Sequence, residues 1–207
     1  MAVVFFAVEG ADGVLAGAWL PAFVALPQAV VLAHVVFVVQ RKGRGPVTDL
    51  DLRFSWMDLP VGVSIAFGAM MAAGVVGAVV AQLLGDDQTA AVAELVEDSQ
   101  GSGGVTGWII LVAVLGATLV PLSEELLFRG LFWNALTKRG ASSRTALVLT
   151  SLGFAAFHLE PLRAPVLLVL GLALGWVRSR SGRVGTAVVA HATINAIGFT
   201  ALLVELS

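Results

Sequence analysis

Cysteine is absent from the 207-residue sequence, and charged side chains make up only 13% of it. Without cysteine the chain can form no disulfide, no thiolate metal site and no cysteine nucleophile. A soluble domain usually carries about 25% charged residues, so the composition argues against a water-soluble globule. The net charge of −2 provides no basic surface for a polyanion, which argues against nucleic acid as a partner.

Hydrophobic residues account for 58% of the chain and are gathered in long runs. A helix needs about 20 mostly apolar residues to cross the hydrocarbon core of a bilayer. The runs therefore predict an all-α, polytopic transmembrane helical bundle with about six spanning helices. Gly171 and Gly175 are predicted to let two of these helices pack closely. The predicted spans cover approximately residues 14–39, 61–84, 105–122, 145–159, 164–177 and 184–204.

Basic residues occupy alternate loops between the predicted spans. Ten of the twelve Lys and Arg residues follow the first, third and fifth spans, whereas the loop after the second span is acidic. The positive-inside rule then places the basic loops in the cytoplasm and both termini outside. Abundant Arg, Ala, Val and Gly indicate a GC-rich bacterial genome, so we expect a multi-pass protein of the bacterial plasma membrane.

Two connecting segments have a distinct composition. Residues 85–104 combine acidic side chains with a short helical pattern and end in a flexible Gly-Ser-Gly-Gly run. Residues 48–59 mix acidic side chains with Phe and Trp, which predicts either a segment along the membrane interface or a hydrated connector. Asp49 and Asp51 in that segment are expected to be solvated.

Ionisable side chains are few within the apolar runs. A charged residue at the bilayer centre costs roughly 2.5–3.5 kcal/mol on insertion scales. Such residues are therefore functional candidates by default. His34 stands apart in the first span, near its basic end, and is expected to be interfacial or packed. The other ionisable residues within the apolar runs are Glu124, Glu125, Arg129, His158 and His191.

Helical spacing predicts different roles for the neighbouring glutamates. Glu125 and Arg129 lie four residues apart, on one helix face, in the order that favours an ion pair. Glu124 points about 140° away from Arg129 and is left available for chemistry. The same spacing places two further pairs on shared faces: Phe154 with His158, and His191 with Asn195.

The depth of these groups in the membrane indicates one shared cavity. Counted at about 1.5 Å per residue from the basic loops, Glu124, His158, His191 and Asn195 fall within one band of depth. Glu124 could then act as general base on a water oriented by His158, with His191 and Asn195 as oxyanion donors. Alternatively, Glu124, His158 and His191 could hold Zn²⁺ with an activated water. The residues alone leave both mechanisms open.

Three motifs in this order resemble a known family. They are Glu124-Glu125-Leu-Leu-Phe-Arg129 (EExxxR), Phe154-Ala-Ala-Phe-His158 (FxxxH) and His191-Ala-Thr-Ile-Asn195 (HxxxN). On successive membrane helices they resemble the CPBP intramembrane proteases. That family joins the type II CAAX prenyl proteases with bacterial relatives linked to bacteriocin processing or self-immunity. The resemblance predicts a CPBP-like catalytic helical core at 105–207, preceded by N-terminal membrane helices and an acidic outer loop at 1–104.

The resemblance implies an intramembrane endopeptidase whose active site opens toward the cytoplasm. Its substrate would be a peptide or protein, membrane-associated or lipidated. A metal-free mechanism is favoured, with Zn²⁺ held by Glu124, His158 and His191 as the alternative. The family pattern makes Glu124, His158, His191 and Asn195 catalytic, and Glu125, Arg129 and Phe154 supporting.

Other functions remain as alternatives. The sequence has no HExxH, GxSG or GxGD motif and no tyrosine, which disfavours the other classes of intramembrane protease. A non-catalytic immunity or scaffold protein could keep the cavity and bind a peptide or lipid. A small proton-coupled transporter could use the same carboxylate and imidazole groups as a relay.

Overall fold

The computed structural model describes residues 13–84 and 105–205, and its regular secondary structure in these ranges is helical throughout. The all-α prediction is therefore confirmed. Two short helices, α2 (Pro46–Asp49) and α5 (Trp133–Lys138), and a π-helical segment (Leu126–Phe132) separate the longer ones. The longer helices are α1 (Gly13–Lys42), α3 (Asp58–Leu84), α4 (Gly107–Glu125), α6 (Ser143–Phe157), α7 (Ala164–Ser181) and α8 (Gly185–Glu205).

Six helices occupy the positions of the six predicted spans, but they differ in length. Among the described residues, four helices are long and apolar enough to cross a membrane: Trp19–Lys42, Asp58–Leu83, Gly107–Lys138 and Gly185–Glu205. Helix α6 has 15 residues and is about 22 Å long, shorter than a hydrocarbon core of about 30 Å. The structure therefore describes a helical membrane bundle with four such helices, and the count of six spans stays a prediction.

Local sequence explains where several helices begin and end. The hydroxyl of Thr106 accepts a hydrogen bond from the Ile109 amide at the start of α4. Ser142 caps α6 in the same way, with 3.1 Å between its Oγ and the Thr145 amide. Such caps satisfy amides that the first turn of a helix leaves unpaired. Gly182 ends α7 with a φ of 67°, a left-handed conformation that glycine adopts at little cost.

Small residues allow the helices to approach closely. A Cβ at Gly175 would lie 3.2 Å from the Leu147 side chain, and one at Gly171 would lie 3.3 Å from Ser151. These contacts between α6 and α7 confirm the predicted close packing at this glycine pair. A Cβ at Gly116 would collide with the Phe199 ring, so α4 and α8 also meet through a glycine.

One buried apolar cluster joins the two halves of the chain. Val35 and Val39 of α1 and Leu50 of the following connector pack with Phe128 and Phe154 of the motif-bearing half. The predicted regions 1–104 and 105–207 thus share a core. Their boundary falls within the acidic segment 85–104, which lies outside the described residues, and the division stays a prediction.

The connector between α1 and α3 folds under one end of the bundle, which we call the basic end because three Arg- and Lys-bearing loops lie there. Leu50 is fully buried, and Asp49 is only 6% exposed. The expectation of solvated aspartates is therefore wrong for Asp49, because Lys138 and the Arg44 amide hold its carboxylate. Trp56, by contrast, is 81% exposed.

Candidate active site

Three elements bring the motif residues toward one another. Helix α4 ends with Glu124 and Glu125, and the π-helical segment that follows carries Arg129. Helix α8 supplies His191 from its second turn, and His158 follows the last residue of α6. π-Helical turns are frequent at functional sites, and this one interrupts the helix directly after the two glutamates.

The predicted ion pair between Glu125 and Arg129 is present. Arg129 Nη1 donates to Glu125 Oε1 at 2.9 Å, and both side chains are completely buried. Arg129 Nη2 donates to the Gly171 carbonyl at 2.8 Å, and its guanidinium lies 4.8 Å from the centre of the Phe154 ring. The pair thereby ties the end of α4 to α6 and α7.

His191 lies between the two glutamates. Its Nδ1 is 3.0 Å from Glu125 Oε1, and its Nε2 is 3.8 Å from Glu124 Oε2. An ionised carboxylate can only accept a hydrogen bond, so we assign the Nδ1 proton to the contact with Glu125. Nε2 is then the nitrogen directed at Glu124. Glu125 is consequently a partner of the histidine as well as of Arg129.

Unpaired buried atoms are concentrated in this cluster. Over residues 19–83 and 105–205, the buried side-chain nitrogen and oxygen atoms without a hydrogen-bond partner are Glu124 Oε2, Glu125 Oε2 and Arg129 Nε. All three belong to the EExxxR motif. Since buried polar groups are nearly always paired, each such atom calls for an explanation, and a catalytic role is one of them.

His158 lies at the edge of this cluster. Its Nδ1 is 2.8 Å from the Phe154 carbonyl, which can only accept, so Nδ1 carries the proton and Nε2 is left as an acceptor. The Phe154 ring lies 4.7 Å from the His158 ring and 5.7 Å from the His191 ring, measured between centroids. Among the described residues, Glu124 has a polar contact with His191 but no hydrogen bond or ion pair with His158.

Asn195 lies one turn beyond His191 on α8. Its Nδ2 donates to the Gly116 carbonyl at 2.8 Å, which fixes the carboxamide against α4. A carboxamide nitrogen carries two protons, so one remains for another acceptor. The catalytic roles given to His158 and Asn195 stay predictions, as does that given to Glu124.

A contact from α1 to the residue before Glu124 was not predicted from the sequence. Ser123, directly before Glu124, is fully buried, and its hydroxyl donates to Gln28 Oε1 as well as contacting the Val120 carbonyl. A polar Gln28 within an apolar helix was the available signal, but its partner lies 95 residues away. His34, a further polar residue within that helix, is exposed.

No ready metal site accompanies these groups. Within the described ranges, no three His, Asp or Glu side chains are grouped so that they could hold a metal ion. Glu124, His158 and His191 in particular do not form such a set in this arrangement. Zinc dependence stays a hypothesis that elemental analysis of active protein tests.

The architecture defines the class of protein: a helical membrane bundle that contains a buried cluster of carboxylate and imidazole groups. Residues 106–197 match the family model described as type II CAAX prenyl endopeptidase Rce1-like. This match confirms the predicted resemblance: the segment is similar to the Rce1-like domain of the CAAX protease-like family, a family of peptide hydrolases. It contains all three motifs. Comparisons with curated proteins and with solved structures gave no match.

Proposed function

We propose that the protein is an intramembrane endopeptidase in which Glu124 activates water for hydrolysis of a peptide bond. The observation that carries the proposal is the set of unpaired, buried atoms in the EExxxR motif, next to His191. A cluster that merely tied helices together would be expected to pair its buried polar atoms. The family match supports the same reaction class.

The chemistry begins at Glu124 Oε2. This oxygen accepts a proton from water while the water oxygen bonds to the peptide carbonyl carbon, giving a tetrahedral oxyanion. Collapse of that intermediate breaks the C–N bond, and the proton on Glu124 passes to the leaving amine. The gap of 3.8 Å to His191 Nε2 is longer than a hydrogen bond and is a separation that a water molecule bridges.

The imidazoles and the carboxamide complete the site. Glu125 fixes the ring of His191 through Nδ1, so that Nε2 faces the reacting atoms and, when protonated, donates to the oxyanion. The remaining proton of Asn195 Nδ2 is the second donor. His158, whose Nε2 is left as an acceptor, orients the attacking water, and the Phe154 ring connects it to His191.

The substrate we propose is a peptide or protein segment that reaches the site from the basic end. By the positive-inside rule the loops of this end face the cytoplasm of a bacterial cell. His191 is six residues, or about 9 Å along α8, from Gly185, which packs against Arg53 and Asp58 at that end. A membrane-associated or lipidated substrate would present its backbone at this depth.

The test is a comparison of protein termini in cells that produce wild-type, Glu124→Gln or Glu160→Gln protein. Glutamine keeps the size of the side chain and its capacity to accept a hydrogen bond, but it is no base. Glu160 is the matched control, since it belongs to the same domain and pairs with Arg163 at 2.6 Å. We expect new termini with the wild type and with Glu160→Gln, and their absence with Glu124→Gln. Identical sets of termini in all three would exclude Glu124 as the base.

A further inference from the structure

The π-helical segment displaces one backbone carbonyl from the helical hydrogen-bond pattern. The Trp133 amide donates to the carbonyls of Phe128 and Gly130 and bypasses that of Arg129, the residue four positions before it. An α-helix would use the Arg129 carbonyl for this bond. In an apolar surrounding, a carbonyl left over in this way needs a side-chain donor.

Arg178 of α7 supplies that donor. Its Nε donates to the Arg129 carbonyl at 2.9 Å, and its side chain is only 5% exposed. Its Nη2 donates to Asp51 Oδ2 at 2.5 Å and to Asn134 Oδ1 at 3.3 Å. The guanidinium also lies 5.4 Å from the centre of the Trp133 ring. One side chain therefore joins α7, the α1–α3 connector and the turn after the glutamates.

The contact leads directly to the candidate active site. The residue whose carbonyl Arg178 holds is the one whose side chain pairs with Glu125. Glu125 in turn holds His191 through Nδ1. A shift of the Arg129 backbone would therefore move Glu125 and His191 together.

We propose that Arg178 is a positioning residue: by bridging the Arg129 carbonyl and the Asp51 carboxylate, it sets the geometry of Glu125 and His191 for catalysis. This inference rests on the proposed function of the site. Arginine suits the role because its planar fork donates in two directions at once, whereas lysine carries a single point charge. Lysine at this position could pair with Asp51 or with the carbonyl, but could not hold both in place.

The experiment compares kcat and KM of Arg178→Lys and Arg180→Lys in purified protein reconstituted into lipid vesicles. The substrate is a peptide spanning a cleavage site found in the comparison of termini. Arg180 is the matched control, because it lies on the same helix, 5.5 Å from the Trp176 ring, and is exposed. A misplaced catalytic group can cost about 100-fold in rate. We expect kcat of Arg178→Lys to fall by about that factor, with KM and the unfolding temperature close to those of Arg180→Lys. Equal kcat values for the two variants would overturn the proposal, as would a loss of kcat that only follows a loss of folded protein.

A second measurement separates this inference from the proposed function. Hydrogen exchange of the backbone amides at 126–133 reports on the turn without any substrate. We expect faster exchange in Arg178→Lys and in Asp51→Asn, and wild-type exchange in Arg180→Lys. Unchanged exchange in both Arg178→Lys and Asp51→Asn would show that the contacts of Arg178 with the Arg129 carbonyl and Asp51 do not hold the turn in place. If exchange rises as expected while wild-type and Glu124→Gln proteins cleave alike, Arg178 does hold the turn in place, but the proposed function is wrong.

Discussion

In the described part of the bundle, a site cluster around Glu124 and Glu125 and a basic-end cluster around Asp58 differ in how completely their buried polar atoms are paired. At the basic end, Asp58 accepts from Ser55, Arg183 and Thr186, and its side chain is 2% exposed. In the site cluster, Glu124 and Glu125 each keep a buried oxygen without a partner over the described part of the chain.

The difference indicates what each cluster does. Complete pairing stabilises a buried charge, because an unpaired group pays its full desolvation cost. The basic-end cluster therefore has a structural role: it holds the connector against the ends of the helices. The site cluster is less stabilising, because one oxygen of each glutamate lacks a partner among the described residues. The lone pairs of these oxygens are available at fixed positions, as expected where a water or a substrate binds.

The largest effect on stability is expected from removing Arg129, the buried cation that pairs with Glu125. Arg129→Met leaves Glu125 buried beside His191 with its cation gone, which typically costs about 3–5 kcal/mol. We expect that loss in the free energy of unfolding measured in detergent. Arg180→Met, which removes an exposed arginine, should change it by no more than about 0.5 kcal/mol.

The double variant Glu125→Gln/Arg129→Met sharpens this test. A glutamine oxygen still accepts from His191 Nδ1, but no buried charge is left unpaired, so we expect the double variant to regain part of the stability. A double variant no more stable than Arg129→Met alone would contradict the ion pair as the source of the loss.

The smallest effect concerns the pH dependence of Asp49, another buried carboxylate at the basic end. The hydrogen bond from Lys138, followed by that from the Arg44 amide, holds the pKa of Asp49 below its ordinary value of 3.8. A lowered pKa in the folded state means that the stabilisation is complete above pH 3.8 and is lost as the pH falls through the folded-state value. Asp49→Asn should therefore lose less stability than the wild type when melting curves are compared at pH 7 and about pH 3. Equal losses in both proteins would show that Asp49 contributes nothing to this pH dependence.

Features that depend on spacing within one helix could be predicted from the sequence. The helical architecture follows from the apolar runs, and the pair of Glu125 with Arg129 follows from four-residue spacing on a helix face. The close packing at Gly171 and Gly175 has the same origin. In each case the predicted feature depends on residue spacing within one helix.

Contacts between distant segments could not be predicted in this way. Arg178 and Asp51 are 127 residues apart, and no period in the sequence relates them. From the sequence, Arg178 is one of the basic residues that indicate topology and Asp51 is predicted to be solvated, whereas the fold pairs the two. The π-helical turn was also missed, because its residues are as apolar as those of a regular helix.

The arrangement around Glu124 likewise depends on tertiary structure. Depth along each helix predicts that Glu124, His158, His191 and Asn195 lie at similar levels, but it does not say which neighbours touch. The fold places His191 beside Glu124, turns the carboxamide of Asn195 to Gly116, and holds His158 against Phe154. Rotation of each helix about its own axis decides these contacts, and packing sets that rotation.

The turnover number of purified Glu124→Gln protein in lipid vesicles tests the central claim most directly. The substrate is a peptide spanning a cleavage site found in the comparison of termini, and Glu160→Gln protein is assayed beside it. Loss of a general base typically lowers the rate by about 10²–10⁴-fold, so we expect a loss of that size in Glu124→Gln and wild-type turnover in Glu160→Gln. Turnover of Glu124→Gln equal to that of Glu160→Gln would contradict the account.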